Sequence, residues 1–121
     1  MPQPSPPGSG PLACDVQRDT AECAALSACG EIDLATKDSL QAALEPLLDG
    51  ERPLLLDLSQ VTFMDCAGLR VLQSAHQAHG RFAVVAPSDA VARLLELSGA
   101  RLPVYDSADE AIRKLASDPP G

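Results

Sequence analysis

The segment Leu54-Leu55-Leu56-Asp57-Leu58-Ser59-Gln60-Val61-Thr62-Phe63-Met64-Asp65-Cys66-Ala67-Gly68-Leu69 decides how this chain folds. Its first five residues form a near-continuous apolar run directly after Pro53, the composition of a strand covered on both faces and therefore central in its sheet. A short loop is expected next, and then a helix for which Asp65 is the N-cap. Its carboxylate is placed to accept bonds from the otherwise unpaired amides of Ala67 or Gly68, worth about 1 kcal/mol. The small residues after the cap leave the backbone open to an incoming surface, and a helix start favours an added negative charge such as phosphate. Loops of this kind carry function.

Working outward, Leu12 to Gln17 and Glu22 to Cys29 read as two short strands around a polar turn, Arg18-Asp19-Thr20, which makes an opening hairpin. Leu40, Ala43, Leu44, Leu47 and Leu48 recur at the spacing of one helical face, with Gly50 as the stop. Pro46 sits inside that pattern, removes one backbone bond and bends the last turn. After the central strand, Ala67 to His79 is helical and closes at Gly80, and Phe82 to Ala86 is a second buried strand. Val91, Leu94, Leu95 and Ser98 define a third helix that Ser88 caps and Gly99 ends. Val104-Tyr105 is a short last strand, and Ser107-Ala108-Asp109-Glu110 is a capping box ahead of a final helix carrying Ala111, Ile112 and Leu115. Two strands followed by repeated helix–strand units predict an α/β domain with a mixed sheet flanked by helices.

The chain has 121 residues, with 9 Lys plus Arg against 17 Asp plus Glu, a formal charge of −8. That suits one acidic domain of roughly 105 residues, large enough to bury its core without disulfides or metal. Nucleic-acid binders gain affinity from Lys and Arg neutralising phosphates, so nucleic acid is excluded as a partner. The aromatic residues, Phe63, Phe82 and Tyr105, are scattered and form no stacking platform. An acidic surface instead steers towards a protein partner. No window approaches the roughly 20 apolar residues that span a bilayer, so no membrane partner is expected. Residues 1–11, rich in Pro and Gly, have neither a basic flank nor an apolar run, which makes them a flexible leader and places the protein in the cytoplasm. Residues 12–117 form the domain and 118–121 a frayed tail.

Four cysteines, Cys14, Cys23, Cys29 and Cys66, are separated by 8, 5 and 36 residues, whereas structural zinc sites want pairs two to four residues apart. No metal and no cofactor is expected, and Cys23 and Cys29 read as small apolar strand residues. His76 and His79 read as a solvated pair near a helix C-terminus. None of the common nucleotide-binding, metalloprotease or serine-hydrolase strings occurs, so no catalytic residue is assigned. A thiol enzyme around Cys66 has no base within reach: His76 lies ten residues on, about 15 Å away along a helix.

Asp57-Leu58-Ser59 followed by Val61-Thr62-Phe63-Met64-Asp65, then Gly68-Leu69, resembles the signature of STAS domains, the anti-sigma factor antagonists of bacteria. Gly30-Glu31-Ile32-Asp33-Leu34-Ala35-Thr36 resembles their other signature, the turn entering the first helix, and Val91 to Gly99 resembles their third helix. The likeness covers roughly residues 12–117. It implies a mixed sheet of about five strands with about four helices mostly on one face. It also implies partner switching, in which the domain binds an anti-sigma factor that is also a serine kinase and so frees the sigma factor, acting as a monomer or weak dimer. By the same resemblance the partner-binding set is Asp33, Thr36, Ser59, Phe63, Met64, Asp65, Cys66, Ala67, Gly68 and Leu69. Asp33 and Asp65 match acidic positions that contact or orient the kinase, and Gly68-Leu69 matches the helix start beneath the contact surface.

Cys66 and Ala67 depart from the family pattern, which reads Asp-Ser-Ser-Gly with the second Ser phosphorylated; that position is Ala67 here. A methyl group accepts no phosphoryl group, so the off-switch, an added charge of about −1.5 to −2 in the interface, is missing at this position. Two readings follow: an antagonist never phosphorylated at position 67, or a scaffold or sensory module that binds other regulatory proteins and no kinase. Cys66 is a candidate redox residue, because a helix start favours thiolate, although the adjacent Asp65 charge works against it. Ser59 and Thr62 remain as alternative phosphoacceptors, Ser59 also fitting a simple strand-end turn.

Overall fold

Five strands lie in the sheet in the same order as in the chain. β1 (Leu12–Asp19) and β2 (Ala24–Ile32) form the antiparallel hairpin, and β3 (Leu54–Met64), β4 (Phe82–Val85) and β5 (Val104–Tyr105) follow in parallel, so β3 is central. The helices are α1 (Lys37–Leu44), α2 (Cys66–Ala78), α3 (Asp89–Ser98) and α4 (Ala108–Ser117). This computed structural model describes residues 12–48 and 51–117; the expected leader 1–11, the tail 118–121 and the Gly50 stop lie outside the described residues.

Alternate strand residues divide the core in two. Ala24, Leu26 and Ala28 of β2, Leu54, Leu56 and Leu58 of β3, and Phe82 and Val84 of β4 pack with Leu40, Leu44, Leu72, Val91 and Leu95 from α1, α2 and α3. Leu55, Ala83 and Val85 point the other way, against Ala111 and Leu115 of α4. Three helices thus cover one face and one covers the other, which is why 54–56 and 82–85 are apolar without alternation.

The local signals act as their chemistry dictates. Pro46 ends α-helical bonding after Leu44, and Glu45–Leu47 continue as a single 3₁₀ turn. Ser88 accepts from the Val91 amide at 3.3 Å, and Gly99 closes α3 at φ +70°, a conformation cheap only for glycine. In the Ser107 box, the Ser107 hydroxyl accepts from the Glu110 amide at 3.2 Å, while the Glu110 carboxylate reaches the Asp106 amide at 3.1 Å, one residue earlier than the usual reciprocal bond.

Four expectations are corrected. The hairpin turn lies at Thr20–Cys23, not at 18–20, because the Thr20 hydroxyl accepts from the Glu22 and Cys23 amides at 3.3 and 3.2 Å. Cys23 is buried but lies just outside β2, and Cys29 lies in β2 but is exposed, so the two are not a pair of apolar strand residues. His79 is not solvated: it is fully buried, its Nε2 2.5 Å from the Arg52 carbonyl, and this bond ties the end of α2 to the segment entering β3. Finally, β3 does not give way to a loop after Leu58. Its polar half stays paired with β2, Cys29 to Gln60, Gly30 to Val61, Glu31 to Phe63 and Ile32 to Met64, across two register irregularities. Ser59, Thr62 and Phe63 are therefore strand residues, and Asp65 alone separates β3 from α2.

Candidate functional site

The carboxyl ends of β2 and β3 lie side by side; β3 reaches α2 through Asp65 alone and β2 reaches α1 through the turn 33–36. At the β2 end, Asp33 folds the chain into an Asx-type turn, its Oδ1 accepting from the Ala35 and Thr36 amides at 2.9 and 3.1 Å. Thr36 locks that turn. Its hydroxyl donates to the Glu31 carbonyl at 2.8 Å and accepts from the Asp33 amide at 2.9 Å, with only 7% of the residue exposed.

At the β3 end, Asp65 is the N-cap of α2, its Oδ1 accepting from the Ala67 and Gly68 amides at 2.9 and 3.2 Å. The Asp65 amide donates to the Ile32 carbonyl at 3.1 Å, which fastens this cap to the neighbouring strand end. Removing the carboxylate by Asp65→Ala is expected to cost about 1 kcal/mol, measured as a lower urea midpoint with unchanged slope.

Gly68 explains how α2 starts so close to the sheet. A Cβ built there would lie 2.6 Å from Cγ2 of Ile32, 3.0 Å from Cγ of Met64 and 3.2 Å from the Ile32 carbonyl oxygen. No larger residue fits without displacement of β2 or α2.

The residues expected to bind a partner divide in two. Ser59, Phe63 and Cys66 are exposed, and Asp33, Asp65 and Ala67 are half-buried. Thr36, Met64, Gly68 and Leu69 are buried, Met64 lining a surface groove from beneath. Ser59 stands apart in mid-strand with its amide bonded to the Asp57 carboxylate at 2.8 Å, and Thr62 donates to the Gly30 carbonyl at 3.3 Å.

Two apolar groups that the motifs did not single out complete the surface. Leu34, 72% exposed, stands in the β2–α1 turn, and Leu97 of α3 is 78% exposed. Leu97 and Phe63, 47% exposed, border one groove, and Leu34 borders another. One, of about 380 Å³, lies between Phe63, Met64 and the α3 residues Asp89, Arg93, Leu94 and Leu97. The other lies between α1 and α2 and contains Ala67. Exposed apolar side chains rimmed by charge are the pattern of a protein-docking surface. Leu34 was legible only as one apolar residue in a turn, and Leu97 as the wrong side of an amphipathic helix.

Among the described residues no group of three or more His, Cys, Asp or Glu side chains is placed to hold a metal, and no helix is long and apolar enough to cross a membrane. The Cys14 thiol is pushed above its ordinary value, first by burial and then by the neighbouring Asp15 charge. Cys29 and Cys66 are the thiols open to solvent.

A family model described as STAS domain matches residues 16–111. The anti-sigma-F factor antagonist RsfB of Mycobacterium tuberculosis is 38% identical over 80 residues, covering 63% of this chain and 66% of that protein, just under two thirds of its length. The anti-sigma-B factor antagonist of Staphylococcus aureus is 32% identical over 75 residues, covering 58% of this chain and 69% of that protein. The crystal structure of an anti-sigma factor antagonist from Mycobacterium paratuberculosis superposes with a TM-score of 0.78 at 29% identity, over 88% of this chain and 96% of that one.

Proposed function

The chain belongs to the STAS domain family, and on that footing we propose that it is an antagonist of an anti-sigma factor, binding that factor at the junction of β3 and α2. The observation that carries the proposal is the start of α2, where Cys66 is exposed beside the half-buried Asp65 and Ala67. Asp65 caps the helix, Cys66 and Ala67 form its first turn, and Leu34 and Phe63 stand exposed around it. A partner seated there would cover apolar groups that water now surrounds, and contact with them would provide most of the affinity.

The partner, on this reading, is an anti-sigma factor with serine kinase activity, and this protein competes for it with a sigma factor in the cytoplasm, as a monomer or weak dimer. The protein performs no catalysis; it regulates by occupying a surface. Ala67 removes the acceptor at the position where the family carries its phosphorylated serine, so the complex is not released by phosphorylation there. Ser59 and Thr62 are poorer acceptors, because both lie within β3, at its two register irregularities, and an acceptor must enter a kinase cleft in an open conformation.

The test is capture of partners from host lysate on the immobilised domain, with a Phe63→Asp, Leu34→Glu double variant alongside. The expected result is an anti-sigma factor on the native domain, with at least tenfold less on the double variant. Recovery of only other STAS or sensory proteins would favour the scaffold reading instead.

A further inference from the structure

The groove between α1 and α2, about 250 Å³, is lined by charge of the opposite sign to the chain's net charge. The chain carries a net −8, yet no acidic side chain lines this groove, and its two charged walls are Lys37 and Arg70. Its apolar surface comes from Leu34, Ala67 and Val71. Lys37 shares an ion pair with Asp38 at 3.0 Å, while Arg70 is exposed and makes no ion pair among the described residues.

Resting on the reading that the start of α2 receives the protein partner, we infer that this groove anchors an acidic-apolar element of that partner. A branched apolar side chain sits on Leu34, Ala67 and Val71, and a carboxylate from the same segment lies between Lys37 and Arg70. Charge complementarity carries the assignment. At physiological salt, exposed charges beyond about 8 Å are largely screened, so a docked carboxylate senses the groove's own charges, Arg70 and the Asp38-paired Lys37, more than the distributed negative charge. The long-range field of an acidic domain selects a partner that is basic overall, and the local cations fix the register in which one acidic residue docks. Ala67 belongs to this arrangement: a phosphate on residue 67 would occupy the same cations, whereas a methyl group leaves them to the partner.

The inference is tested with two small probes, isocaproate and its neutral isostere isocaproamide, titrated to tens of millimolar into the whole protein labelled with nitrogen-15. The carboxylate is expected to move the amide resonances of Leu34, Ala67, Arg70 and Val71 several-fold more than the amide does. The Lys37→Glu, Arg70→Glu double variant should abolish that difference and Arg93→Glu, in the other groove, should leave it intact. Equal shifts from both probes, or shifts that persist in the double variant, would overturn the inference. The second readout uses the captured anti-sigma factor. The double variant should bind it at least tenfold more weakly, with a shallower salt dependence and an unchanged unfolding midpoint. Undiminished binding would overturn the groove assignment while leaving the partner reading standing, and the two failures are thereby distinguished.

Discussion

Gly68→Ala is expected to destabilise the domain by about 1–2 kcal/mol, despite alanine being the better helix former. The two effects oppose each other and their sizes decide the sign. Alanine gains up to about 1 kcal/mol over glycine in a helix interior, and less in a first turn such as this one. Against that, the new methyl would stand 2.6 Å from Cγ2 of Ile32, a branched and fully buried side chain, and 3.2 Å from that residue's carbonyl oxygen. Neither neighbour is the end of a flexible chain, and overpacking of this kind costs about 1–3 kcal/mol. The Ile32 carbonyl also accepts from the Asp65 amide, so relief of the clash pulls the cap away from β2 and moves Cys66 and Ala67 with it. Partner affinity should therefore fall along with stability. Gly80→Ala is the control: a Cβ at that position meets nothing within 4 Å, and its urea midpoint should match the native protein. A Gly68→Ala midpoint equal to that of Gly80→Ala would show that α2 does not rest on Ile32 as described.

Thr36→Val should cost about 1–3 kcal/mol and loosen the other half of the surface. Valine keeps the shape of threonine but leaves the Glu31 carbonyl and the Asp33 amide without the hydroxyl that pairs them in a buried setting. A buried polar group stripped of its partner costs about 1–3 kcal/mol, well above the net worth of an ordinary hydrogen bond. Because the lost bonds hold the turn carrying Leu34, the loss should be local as well as global. Amide exchange at Asp33 should accelerate more than exchange in β4, and Thr36→Ser, which keeps the hydroxyl, should restore most of the protection. Uniform acceleration across the sheet would contradict a lock at the β2–α1 turn.

Much of the architecture was legible because burial on two faces leaves a plain mark. Leu54 to Leu56 and Phe82 to Val85 are apolar without alternation only if both faces are covered, and α4 against Leu55, Ala83 and Val85 supplies the second cover. Asp65 was legible as a cap because the carboxylate and the small residues after it leave few other uses for that position. The second half of β3 was not, since Ser59, Gln60 and Thr62 interrupt the apolar run and only the ladder to β2 keeps the segment extended. His79 was misjudged for a similar reason. Its partner is a backbone carbonyl 27 residues away, and nothing near a helix end announces such a contact. Thr36 carried no sign of its two bonds, because a threonine before a helix looks the same whether its hydroxyl caps the helix or clamps the preceding strand. Of the candidate site, the motifs gave the line of residues and the fold gave the division between exposed surface and buried support.

The central claim, that this domain holds an anti-sigma factor without a phosphorylation release at residue 67, is tested most directly by one experiment on two proteins. The native domain and Ala67→Ser are each mixed with the captured anti-sigma factor and ATP, and intact mass and complex formation are followed together. The account predicts that the native domain keeps its mass and its partner, while the serine variant gains one phosphoryl group and dissociates. Phosphorylation and release of the native domain, or a serine variant that neither gains mass nor lets go, would contradict it.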